Sequence, residues 1–155
     1  MPAKQYRQWH DAQVWTHLFF APGLVCSFFT LPELCLILSV VFVLSIANHV
    51  NYERDGLLSM VEGVAAKSLY VYGVAQLCYG PYQLVFMIEF MCFVCTTATF
   101  LTTLTLDLYK TSRAQWNFYH PLGMHVIPAV WVLMTAMSHT PLLTGIHART
   151  NFATP

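Results

Sequence analysis

The sequence predicts an all-α fold, a polytopic integral membrane helix bundle with about five transmembrane helices. Two observations carry that expectation. Of 155 residues, 57% are hydrophobic and only 9% charged, against roughly 25% charged in soluble domains, so a water-soluble globule lacks the polar surface it would need. The charged side chains also leave uncharged stretches at 12–32, 34–52, 68–88, 90–106 and 114–148, and a crossing takes about 20 apolar residues. Seven Lys and Arg balance seven Asp and Glu, which leaves no basic excess for nucleic acid and no acidic block for disorder. The expected partners are lipids, some of them stably bound, and other membrane subunits.

Residues 1–13, short and mixed in charge with Tyr6 and Trp9, read as an interfacial N-terminal arm. They lack the apolar stretch and small-residue cut site of a cleaved signal. Residues 14–139 form the transmembrane domain. Its first crossing is 14–30, where Ala21, Pro22 and Gly23 should kink the helix without ending it. The second is 31–50: Thr30-Leu31-Pro32-Glu33 places a hydroxyl and a carboxylate three apart as a capping box, with Pro in the first turn. Its polar residues Ser45, Asn48 and His49 gather at the far end, before a wet loop with Glu53, Arg54 and Asp55.

The third crossing, 57–79, carries Glu62 and Lys67 and is expected to lie partly at the interface. Gly80 and Pro81 break the chain, and 82–106 forms the fourth crossing with Glu89 inside it. Asp107 to Asn117 reads as a second wet loop, and Trp116, Phe118 and Tyr119 as interfacial aromatics. Pro121 is expected to open the fifth crossing, 121–139, with Pro128 a second kink. Residues 140–155 read as a docked or irregular C-terminal tail.

The basic residues bear on this map independently, because Lys and Arg favour the side from which a chain inserts. Lys4, Arg7, Arg54, Lys67, Lys110 and Arg113 all fall on one side of a five-crossing map, and Arg149 alone on the other. That orients the N-terminus toward the cytosol, or toward the matrix of a mitochondrial inner membrane.

The same map brings His17, His49, His120 and His125 to one depth, together with Ser45 and Glu62. Four imidazoles and a carboxylate at one level have the chemistry of a metal site, a haem site or a proton relay, while rings at the headgroup level need no special partner. Ser45 and His49, four apart, share a helix face. His120 and His125, five apart, diverge by more than a third of a turn on a regular helix. For haem, His49 and His125 are the pair from two helices that would face one iron.

Ser45-x-x-x-His49 followed by later histidines is similar to part of the pattern of the superfamily of alkaline ceramidases and adiponectin receptors. In that seven-helix superfamily a Ser, an Asp and three His surround zinc and cleave lipid amides. The resemblance implies roles for Ser45, His49 and one of Glu62 or Glu89. This chain has a Glu where the family has Asp, and its closing histidines are spaced differently.

Glu89 heads a stripe with Cys92, Thr96, Thr99 and Thr103 at three- and four-residue steps. Small residues and hydroxyls on one face let helices approach closely, each bond contributing about 0.6 to 2 kcal/mol in membranes. That face should meet another helix. Cys26, Cys35, Cys78, Cys92 and Cys95 all fall within crossings and read as buried apolar thiols. From composition, the expectation is a small accessory subunit of a larger membrane complex, such as a mitochondrial respiratory or ATP-synthesising one. It would have no catalytic activity of its own and no cofactor. The alternative is a metal-dependent lipid hydrolase, or a haem or quinone anchor, built on the histidine layer.

Overall fold

The structure, a computed structural model, describes residues 5–6, 12–52, 56–79 and 83–140. The basic residues Lys4, Arg7, Arg54 and Arg149, the Gly80–Pro81 break and the tail beyond Thr140 lie outside the described residues. The described chain is almost wholly helical. A two-residue antiparallel bridge pairs β1 (Gln5–Tyr6) with β2 (Asn51–Tyr52).

The first rod is stepped: α1 (Ala12–Trp15), a 3₁₀ turn (Thr16–Phe20) and α2 (Ala21–Thr30). Pro22 has no backbone N–H to donate, and it sits in the first turn of α2, where none is required; the rod therefore tightens just before it and continues. Next come α3 (Pro32–Val50) and α4 (Leu57–Tyr79). After α5 (Gln83–Thr105) a short α6 (Leu108–Thr111) follows. The last rod consists of α7 (Arg113–Pro121), a π turn (Leu122–Val126) and α8 (Ile127–Ser138). Three helices are long and apolar enough to cross a membrane: Pro32–Val50, Val85–Thr105 and the continuous rod Arg113–Ser138.

Two local expectations are corrected. The last rod begins at Arg113 rather than Pro121, so much of the wet loop is helix. The polar run reads as loop by composition, yet Ser112 is extended and lets the chain re-enter a helix at Arg113. Trp116 stacks on His120 at 4.4 Å between centroids. The capping box does not form either. α2 runs through Thr30, whose hydroxyl donates to the Cys26 carbonyl, while Glu33 accepts from the Tyr72 hydroxyl across to α4.

Around the bundle the order is α4, α3, α2, α8, α5, and the ring closes only loosely where α4 meets α5 and α8. Phe20, Leu34, Leu38, Leu69, Ala129 and Val132 fill the core between α2, α3, α4 and α8. The loose closure leaves a cavity of about 730 Å³ bounded by α3, α4, α5 and the last rod.

The outer surface is apolar in the way lipid contact requires. Phe28, Phe29, Leu36, Val43, Val64 and Leu104 are all well exposed, and patches of that extent are unusual on a water-soluble monomer.

Candidate metal centre

Three rods deliver histidines to one place. The 3₁₀ turn of the first rod presents His17, the last turn of α3 presents His49, and the π turn presents His125. All three are buried, and one ring nitrogen from each lies within 4.8 Å of the others. Ring centroids are 4.0 Å apart for His17 and His125, 5.0 Å for His17 and His49, and 5.2 Å for His49 and His125. His120 from the end of α7 adds a fourth ring, 5.4 Å from His49 and 5.1 Å from His125.

The hydrogen bonds fix how two of the rings present themselves. His17 Nδ1 lies 3.0 Å from the Val14 carbonyl, which can only accept, so Nδ1 carries the proton. The lone pair of the neutral ring is then on Nε2, which is buried and has no hydrogen-bond partner among the described residues. His125 Nδ1 is 2.7 Å from the Thr16 hydroxyl, which ties one edge of that ring and leaves Nε2 as the nitrogen at its far edge. Metal-bound imidazoles are held in this way, one nitrogen on the ion and the other on a carbonyl or hydroxyl.

A tetrahedral zinc site with bonds of 2.0–2.1 Å sets its nitrogens about 3.4 Å apart. The three ring nitrogens would close in by about 1.4 Å at most to reach that, a change within the range of small side-chain rotations. The residues present therefore fit a single divalent ion with three imidazole donors. Porphyrin is a poorer fit, because rings packed 4.0 to 5.4 Å apart on several sides leave no clear plane for a macrocycle.

Beside the cluster, the Ser45 hydroxyl donates to Glu62 Oε1 at 2.9 Å. Ser45 is one helical turn before His49, so α3 supplies both a ring to the cluster and a hydroxyl to the carboxylate of α4. His17, His125, Ser45 and Glu62 all line the cavity, whose exposed surface is largely apolar.

The other sequence-derived residues lie elsewhere. Glu89 is buried between α5 and α8 and accepts from the Thr135 hydroxyl at 2.6 Å. Cys92, Thr96 and Thr103 are buried and Thr99 partly so, which turns the stripe inward, with Thr99 against Gly123 of the π turn. Sequence reasoning missed Thr16, Thr135 and Trp116. Thr16 adjoins His17, but only the 3₁₀ turn sends the two side chains to the same cluster. Thr135 offered no signal beyond a hydroxyl in an apolar helix.

Comparison of the chain with protein-family models, with curated proteins and with solved structures finds no match. Its class is therefore defined by its build: a helical protein with three helices long and apolar enough to cross a membrane, and a buried polyhistidine cluster beside a largely apolar cavity.

Proposed function

We propose that this chain is a membrane-embedded, metal-dependent hydrolase acting on a lipid amide or ester. One observation supports the reading above all. His17, His49 and His125 are buried and offer ring nitrogens within 4.8 Å of one another, and His17 and His125 line an otherwise largely apolar cavity. Three imidazoles with an open fourth position are the donor set of hydrolytic zinc sites. A zinc ion there would acidify a water and polarise a substrate carbonyl.

The chain's own residues supply the rest. Glu62 is the carboxylate beside the cluster that would accept a proton from the attacking water, and the Ser45 hydroxyl holds it in position. The Thr16 hydroxyl and the Val14 carbonyl keep His125 and His17 turned toward the open position. The apolar walls exclude water and take up the hydrocarbon of the substrate.

The accessory-subunit reading drew on the stripe from Glu89 to Thr103 as a surface for partner subunits. That stripe packs inside the chain, so catalysis is the better supported function. The same proposal has all five rods crossing the bilayer with the N-terminus on the cytosolic or matrix side. The mitochondrial inner membrane is the home that the compact build suggests.

Elemental analysis of the purified full chain tests the reading. We expect one zinc per chain, lost in His17→Ala and in His49→Ala, and retained in Glu62→Gln. A folded, helical sample that takes up no zinc from excess metal would overturn the proposal.

A further inference from the structure

We infer that the ligand of the cavity is a single-chain amphiphile with an anionic head group, recognised by Lys67. Calling it a substrate rests on the hydrolase reading; that it binds rests on the cavity alone.

Volume admits one chain. A methylene displaces about the volume of a water molecule in the liquid, roughly 30 Å³, so a tail of about sixteen carbons takes about 500 Å³ and two tails about twice that. The cavity holds about 730 Å³, which accommodates one tail and a head group.

Charge argues for the anion. Three ionic side chains line the cavity, Glu62, Lys67 and Asp107. The two carboxylates are already engaged: Glu62 accepts from Ser45, and Asp107 pairs with Lys110 at 2.8 Å. Among the described residues Lys67 has no ion pair; it lies midway along α4 with its side chain exposed and lining the cavity, and should α4 cross the bilayer an ammonium there is costly unless matched.

Position agrees with charge. Lys67 follows Glu62 by five residues, about 7.5 Å along the helix axis, and a helical side chain leans back toward the N-terminus of its helix. A five-residue step also turns about 140°, so Lys67 and Glu62 line different parts of the wall that α4 gives the cavity. Other walls, Leu69, Tyr72 and Trp131 among them, would receive the tail. An anionic head on Lys67 would share the cavity with His17 and His125.

The test is saturation binding of radiolabelled 1-palmitoyl lysophosphatidate to the full chain in phosphatidylcholine nanodiscs. We expect one site per chain, weakened at least tenfold by Lys67→Gln, restored by Lys67→Arg, and changed less than twofold by Lys110→Gln. Monopalmitoyl glycerol, dipalmitoyl phosphatidate and inorganic phosphate should each compete at least tenfold more weakly than unlabelled lysophosphatidate.

Equal competition by the neutral lipid would remove the anion requirement, and equal competition by the two-chain lipid would remove the single tail. Displacement by phosphate alone would mean a free-anion site, and unchanged affinity in Lys67→Gln would remove Lys67; any of these overturns the inference. Zinc content measured on the same samples keeps the two proposals separate. Lysolipid binding without zinc refutes the hydrolase and leaves the ligand standing, whereas zinc without lysolipid binding refutes the ligand.

Discussion

His120 and His125 are five residues apart in the chain, yet their ring centroids lie 5.1 Å from each other, because Leu122–Val126 between them is a π turn. On a regular helix a five-residue step turns about 140° and would point the rings apart. The wider turn takes up one extra residue and returns the second ring to nearly the same face, and π turns of this kind recur at functional sites. Pro121 eases it, since a proline has no N–H to give to the regular ladder.

If the extra residue is all that the π turn accommodates, removing it should leave the site intact. Deleting Leu122, which is 40% exposed, would convert the step to four residues on a regular helix. The rings then remain on one face, about 40° apart. We expect the deletion variant to keep zinc affinity within tenfold of the parent and to melt no lower, as measured by chelator competition and by circular dichroism. Loss of zinc in a well-folded deletion variant would show that the wide turn itself sets the ligand geometry.

Thr16 contributes through His125. Its hydroxyl lies 2.7 Å from Nδ1 of that ring, and removing such an outer partner costs about 10- to 100-fold in metal affinity. Thr16→Val keeps the shape of the side chain and removes the bond. It should weaken zinc binding by that factor without changing the number of ions bound, whereas His125→Ala should abolish binding. A Thr16→Val affinity equal to the parent's would mean that the hydroxyl does not orient the ring.

At the other end of α8, Glu89 and Thr135 form a buried pair at 2.6 Å. Removing either partner leaves a buried polar group unsatisfied, a cost of about 1–3 kcal/mol. Glu89→Ala and Thr135→Ala should each lower stability by about that amount. The double variant should be less destabilised than the sum of the two, with a coupling of about 0.5–3 kcal/mol for residues in direct contact. Unfolding followed in mild detergent measures the cycle, and strict additivity would show that the two groups do not act as a pair.

Much of this architecture is legible in the sequence. The uncharged stretches mark the apolar rods, and the alternation of rods brings His17, His49, His120 and His125 to one depth. What stays hidden follows from geometry rather than composition. Nothing local in Leu122 to Val126 announces a π turn, so the spacing of His120 and His125 argued against a pair. Arg113 to His120 carries the polarity of a loop, because the helix it forms has an exposed polar face. Thr30 and Glu33 have capping-box spacing, but the Cys26 carbonyl one turn earlier in α2 takes the Thr30 hydroxyl and the Tyr72 hydroxyl of α4 takes Glu33. The stripe from Glu89 to Thr103 announces a helix contact without revealing that the contact lies within the chain.

The contact between α5 and the π turn gives the last prediction. Gly123 is buried where the π turn meets α5, and a Cβ added there would collide with the Thr99 side chain. Thr99 is also tied to its own helix, donating to the Cys95 carbonyl at 2.8 Å, so it is not free to rotate away at no cost. Gly123→Ala should therefore push α5 from the last rod, at an overpacking cost of about 1–3 kcal/mol. Because His125 follows two residues later, the same displacement should reach the metal cluster, and zinc affinity should fall together with stability. Trimming the opposing side chain in a Gly123→Ala, Thr99→Gly double variant makes room for the new methyl. It should recover zinc affinity to within a few fold, although a glycine within α5 still costs about 1 kcal/mol of helix stability. Recovery of affinity without full recovery of stability would mark Gly123 as the residue that sets the approach of His125; failure of both to recover would mean that the π turn, rather than its packing on Thr99, is what the alanine disrupts.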